Sequence, residues 1–189
     1  MPSFMTIPSL PSALTGGALL ALPLALTLGL SACGGPDLPK FPPACPQTGI
    51  ISDAADVTTF RGNGTDLTDM VVDGQIKGIS GKCQLNDLTH LHTTISVNLD
   101  LTRGPASSSR TVPVSYFVSV SRGDTVLDKQ IYTIPVAFPS NTDHVQLTGD
   151  QIDMVLPVDQ KLSGAAYRVL IGFQLTPAEL EFNRRRGPR

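Results

Sequence analysis

No tryptophan occurs in this chain of 189 residues, and aromatic residues make up only 5% of it. Surfaces that hold single-stranded nucleic acid stack bases on rings, and protein hot spots are built around large aromatic anchors. A chain this poor in both is expected to take no nucleic-acid partner. Charge is also scarce, at 16% charged residues and a net −2, so the overall balance selects no partner class. There is no Cys-x-x-Cys, which argues against a redox or structural zinc motif. Neither Gly-x-Ser-x-Gly nor Ser-x-x-Lys occurs, so the common nucleophile settings are missing. Gly62-Asn63-Gly64 is turn chemistry and not a phosphate cradle. The close carboxylates Asp66/Asp69 and Asp150/Asp153 stand near turns, whereas glycan hydrolysis needs two acids facing a cleft. No catalytic activity is expected; a small envelope hydrolase is the alternative.

A long apolar run is missing as well. The longest, residues 18–32 (ALLALPLALTLGLSA), falls short of the roughly 20 residues a membrane-spanning helix needs. It matches the roughly 7 to 15 residues of an export-signal core, and Pro23 disfavours a stable spanning helix. No Lys or Arg precedes Cys33, although export signals usually begin positive. Either the start codon lies elsewhere or the amino terminus alone supplies the charge.

The run ends in Leu30-Ser31-Ala32-Cys33, which resembles the lipobox of bacterial lipoproteins at all four positions. The resemblance implies cleavage before Cys33, a diacylglyceryl group on its thiol and an acyl chain on the new amine, with no other cofactor. One acyl chain holds a protein to a membrane only marginally, while two or more hold it firmly. Gly34 stands where the family places Asp to retain a protein in the inner membrane. An outer-membrane lipoprotein facing the periplasm is therefore expected, with the inner membrane as second choice. The competing readings are a secreted protein cut near Ala32 and a buried apolar helix.

Residues 34–46 (GGPDLPKFPPACP) hold five prolines, which fix φ and remove donors, so the stretch reads as an extended spacer. The eleven residues to Ala44 would span about 34 Å. With Cys33 lipidated, Cys45 and Cys83 remain, and an even pair in an oxidising compartment usually forms a disulfide. The expected organisation is a signal peptide over 1–32, a lipidated Cys and tether over 33–46, a β domain over 47–176, and a short helix with a basic tail over 177–189.

The body alternates with period two. Leu91, Thr93, Ile95, Val97, Leu99 and Leu101 face one way, and polar residues fall between them. Val112 to Val120 repeats the pattern with serines opposite, and Arg122-Gly123-Asp124 signals a turn into Thr125–Phe138. Further strands are expected at Asp69–Ile79, Val145–Thr148, Ile152–Val158 and Ala166–Leu175. About seven strands, each with one apolar face, predict an all-β protein, an antiparallel β-sandwich. Residues 162–169 (LSGAAYRV) resemble the tyrosine-corner region of immunoglobulin-like and fibronectin type III sandwiches, which would give Tyr167 the corner role. A core tyrosine on an ordinary strand is the alternative. Thr176, Pro177 and Glu179 predict the start of a short helix. Asp53 to Asp56 reads as either a helical turn or a loop.

Taken together, the lipobox, the Pro-rich tether, the Cys pair, the DLTDMVVDG and YRVLIGFQLT segments and the basic end resemble a group of uncharacterised proteobacterial lipoproteins. That resemblance implies a place and a build, and no activity. His90 and His92 share one strand face and are the weak candidates for a metal, which would make the protein a carrier. His144, Asp87 or Asp100 could supply a third ligand. Four of the fourteen basic residues, Arg184, Arg185, Arg186 and Arg189, crowd the C-terminus, leaving ten elsewhere against sixteen acidic ones. They are candidates for contact with an anionic surface such as phospholipid headgroups, peptidoglycan or an acidic protein; a solvated terminus is the alternative. The expected function is a membrane-anchored, non-catalytic binding or structural module of the cell envelope, with an envelope protein or peptidoglycan as partner.

Overall fold

The computed structural model describes residues 44–189, Asn86 and Pro188 excepted. The apolar run, the lipobox with Cys33 and the tether up to residue 43 lie outside the described residues. Among those described, no helix is long and apolar enough to cross a membrane.

Nine strands and one helix follow in order: β1 (Gln47–Ile50), β2 (Asp56–Phe60), β3 (Met70–Leu85), β4 (His90–Arg103), β5 (Thr111–Arg122), β6 (Thr125–Ala137), β7 (His144–Thr148), β8 (Ile152–Pro157), β9 (Tyr167–Phe173) and α1 (Pro177–Arg186). They form two packed sheets. The first runs β1-β9-β5-β6; the second runs β2-β3-β4, with β7 and β8 both pairing the far side of β4. β7 takes the C-terminal half of β4, matching His144 to Thr102, and β8 takes the N-terminal half, matching Leu91 to Leu156. Every pairing is antiparallel except β1 on β9, which runs parallel. The sequence thus specifies the all-β sandwich it was expected to specify.

The reason lies in the alternation. Leu91, Ile95, Val97, Leu99 and Leu101 of β4 are buried against Val112, Val114, Tyr116 and Val118 of β5 and Val169, Ile171 and Phe173 of β9. A buried side chain of this kind stabilises by about 1.5–3 kcal/mol, and a one-residue slip would turn every one of them to water. Gly74 marks a tight point in this layer, because a Cβ there would press into Leu101 and Val57.

All seven expected strands are present. The two extra ones escape the pattern for physical reasons. β1 is only four residues long, too short to display a period. β2 reads Asp-Val-Thr-Thr-Phe, and its Asp56 and Thr58 are buried although polar. The ambiguous stretch before it resolves into a single 3-10 turn, Ser52–Ala54. Helix α1 begins as expected: Thr176 accepts from the Glu179 backbone N–H, and the Glu179 carboxylate accepts from Thr176 in return. The helix runs on past Phe182 to Arg186, and Gly187 follows at φ 82°.

Candidate functional site

The described chain begins at one end of the sandwich, and three features fasten it there. Cys45 is disulfide-bonded to Cys83 of β3, closing 38 residues with the Cα atoms 5.8 Å apart. Ala44 lies directly on Gly164, where any Cβ would collide with the Ala44 carbonyl oxygen. β1 then follows at once. Between β1 and β3 a small cavity of about 220 Å³ opens beside the disulfide, lined by Pro46, Thr48, Ile79, Thr93 and Ile95. Thr93 is the polar member of the inward row of β4, and its buried hydroxyl has no hydrogen-bond partner among the described residues.

The histidines do not converge. His90 Nδ1 lies 3.1 Å from Asp87, which also accepts from the Thr89 backbone and hydroxyl. His144 Nε2 lies 2.6 Å from Asp100, whose other oxygen accepts from Gln146. Because β7 pairs the C-terminal half of β4, His144 sits beside Thr102 while His90 sits beside Pro157. Twelve residues of strand, roughly 40 Å, separate the two ends. Of the three third-ligand candidates for His90/His92, the register therefore removes His144 and Asp100 and leaves Asp87. Among the described residues, no cluster of three or more His, Cys, Asp or Glu side chains could hold a metal. Asp87 is held well below the usual carboxylate range, at about 2, chiefly by the hydrogen bond from the Thr89 backbone. Asp100 is lowered too, first by Gln146 and then by His144.

The C-terminal arginines fold back onto the domain. Arg186 reaches Asp56 at 3.5 Å and donates to the Thr58 hydroxyl at 2.9 Å. Arg189 reaches Asp73 at 2.6 Å and Asp56 at 3.2 Å. Asn183 donates to the carbonyls of Asp53 and Asp56, pinning the helix along β2. Arg184 pairs with Asp53 at 2.9 Å, and Arg185 lies 3.6 Å from Glu181 one helical turn back. The tail expected to stand free for an anionic surface is thus largely engaged with the protein's own acids. The Asp56 side chain is only 5% exposed, and two guanidiniums face it, which offsets the cost of burying its carboxylate. Burial works against the charge of Arg189, yet its hydrogen bond to Asp73 and the charges of Asp73 and Asp56 raise its pKa above the ordinary range.

At the end of the sandwich remote from Ala44, α1 and the β2–β3 loop enclose a cleft of about 600 Å³. Phe60 and Phe182 meet edge to face at 5.0 Å on its floor. Thr59, Asn63, Thr65 and Arg185 line its walls. Glu179 lines it as well, but one of its oxygens caps the helix and the other accepts from Thr59. Of the close acid pairs, Asp153 accepts from Thr94, and Asp69 is packed against Gly64. The chemistry this arrangement offers is recognition by hydrogen bonds and apolar contact. No protein family, curated protein or solved structure matches the chain.

Proposed function

We propose that the protein is a cell-envelope lipoprotein, anchored through acyl chains on Cys33 to the outer membrane and facing the periplasm, whose sandwich is a non-catalytic binding or structural module. The observation that carries this reading is the Cys45–Cys83 disulfide. It belongs to an oxidising compartment, and it sits directly behind the Pro-rich stretch. A linker clamped to the domain by a covalent bond, a carbonyl packed on Gly164 and a strand transmits the position of an anchor to a rigid body.

The sandwich itself supports kinship with immunoglobulin-like and fibronectin type III modules. β3, β4 and β8 form one layer, β6, β5 and β9 the other. Tyr167, opening β9, donates its hydroxyl to the carbonyl of Pro157 at 2.7 Å, as a tyrosine corner does. In this reading β1, arriving from the tether, occupies the place of the last strand of such modules. Modules of this shape present faces, edges and loop clusters to partners; the step from shape to role is an analogy.

Replacing Cys33 by Ser tests the anchor. The protein should lose labelling by a fatty-acid analogue and move to the soluble fraction once processed, and mature wild-type material should begin at residue 33 with the mass of its acyl chains. An unmodified mass, or another N-terminus, overturns the reading. Crosslinking followed by pull-down should enrich one envelope complex or peptidoglycan.

A further inference from the structure

The two outer faces of the sandwich differ in chemistry. Pairing assigns the positions, because residues opposite one another across antiparallel strands point to the same side. On the sheet containing β2, β3 and β4, Asp56, Asp73, Asp100 and Asp153 lie on outward positions, each holding a polar partner. On the sheet β1-β9-β5-β6, Ser115 faces Thr133, Phe117 faces Gly172 and Ile131, Ser119 faces Leu170 and Lys129, and Ser121 faces Arg168 and Val126. No carboxylate occupies any of these outward positions. Asp128 is opposite Val120 and points the other way, Asp124 lies in the β5–β6 turn, and Asp53 is occupied by Arg184.

This face carries apolar side chains that the fold leaves in water. Val126 is 62% and Ile131 55% exposed, with Phe117 and Leu170 half-buried beside them. Small serines between them keep the surface low. The two cations on the face, Lys129 and Arg168, are exposed and have no carboxylate partner among the described residues; Lys129 rests over the Phe117 ring at 4.2 Å. The pairing of β1 with β9 places Gln47 beside Arg168, so the chain enters the domain at the edge of this same face, two residues after Cys45.

We propose that the outer face of the β1-β9-β5-β6 sheet lies against an anionic phospholipid surface, with Lys129 and Arg168 on headgroups and Val126, Ile131 and Phe117 at the acyl boundary. The charge pattern selects this occupant. A surface with two unpaired cations, no acid and a rim of apolar side chains matches an interface that is negative outside and apolar just beneath. The tether's entry at its edge brings the face within reach of the membrane that holds the anchor. The proposal rests on the anchored reading for its setting, and gives the surface contact expected of the arginine tail to a different set of residues.

The test uses the full chain with Cys33→Ser. The protein is mixed with excess vesicles and carries no acyl chain, so failure of the lipidation reading leaves this test standing. Lysine acetylation by an aqueous reagent is read by mass spectrometry on vesicles of phosphatidylethanolamine with phosphatidylglycerol, and on vesicles of phosphatidylcholine alone. Lys129 should be protected on the anionic vesicles, while Lys82 on the opposite sheet stays reactive. Arg168→Gln should lower the docked-to-free ratio at Lys129 about fivefold, and high salt should lower it further. Equal protection of Lys129 and Lys82, or protection indifferent to phosphatidylglycerol, overturns the proposal. Protection of Lys129 that grows with protein concentration without vesicles also overturns it, because a second copy would then cover the face.

Discussion

Tyr167, the first residue of β9, donates its hydroxyl to the carbonyl of Pro157, the last residue of β8, across a loop that turns from one sheet to the other. Tyr167 is 1% exposed, so the ring is core and only the hydroxyl is polar. Removing that hydroxyl leaves the ring packed and the carbonyl without its partner. Tyr167→Phe should therefore destabilise by about 1–2 kcal/mol, the range for orphaning a buried acceptor. Urea unfolding should show a lower midpoint with an unchanged slope. No change in midpoint would mean that water serves the carbonyl equally well and that the corner organises nothing.

The disulfide has a different energetic origin. Joining residues 38 apart limits the unfolded chain and not the folded one. In the loop-entropy account this is worth about 4 kcal/mol. Cys45→Ala with Cys83→Ala should lower unfolding stability by an amount of that order and leave the far-ultraviolet spectrum of the folded state intact. Non-reducing mass spectrometry of the wild type should show the two residues joined. Free thiols would remove both the stability argument and the compartment argument.

Much of this architecture is legible in the sequence because burial on one side of a strand writes itself as alternation. β4 and β5 are visible from Leu91 to Leu101 and Val112 to Val120. The helix start is visible because Thr176, Pro177 and Glu179 satisfy the geometry of a first turn. β2 is hidden because its outward Asp56 and Thr58 are buried by residues more than 120 positions away, and no local pattern encodes such a partner. The same distance hides the fate of the arginines: a run of cations at a terminus looks free until the fold supplies acids beneath it. The histidines are the complementary case. His90, His92 and His144 look gatherable, yet β7 pairs with the half of β4 remote from His90, a register that hairpin patterns do not specify.

Asp87 gives a prediction in pH. Its carboxylate accepts from the backbone and hydroxyl of Thr89 and from His90, and it titrates at about 2 where the ordinary value is 3.8. A depressed carboxylate value stabilises the folded state above the unfolded value, and that contribution disappears as pH falls through the folded one. The stabilisation from these hydrogen bonds should be full above about pH 4 and fade between about 4 and 2, while the bonds themselves persist until the carboxylate protonates near 2. The Asp87 carboxyl carbon, followed by NMR as pH falls, should have its midpoint near 2. Since the Asp87 side chain is exposed, the signal is local, and a midpoint near 3.8 would show that the turn hydrogen bonds do not persist in solution.

The arginine clamp decides whether the C-terminus belongs to the fold. Asp56 is buried beneath α1 with two guanidiniums within 3.5 Å, and Asp73 holds the same two from the next strand. Arg186 is about one-quarter exposed and Arg189 slightly over one-third, so each arginine alone is partly screened while the acid is not. The two ends of the pair should therefore respond unequally. Asp56→Ala leaves two partly exposed cations sharing only Asp73 and should cost about 2–3 kcal/mol, below the full figure for orphaning a buried charge. Arg189→Ala leaves Arg186 on Asp56 and should cost well under half as much. Measured together with their double variant, the pair should couple, because without Asp56 the Arg189 side chain keeps only Asp73. If Asp56→Ala and Arg189→Ala prove equally mild and strictly additive, the tail is a solvated appendage, and all four C-terminal arginines return to the pool of cations available to an outside surface.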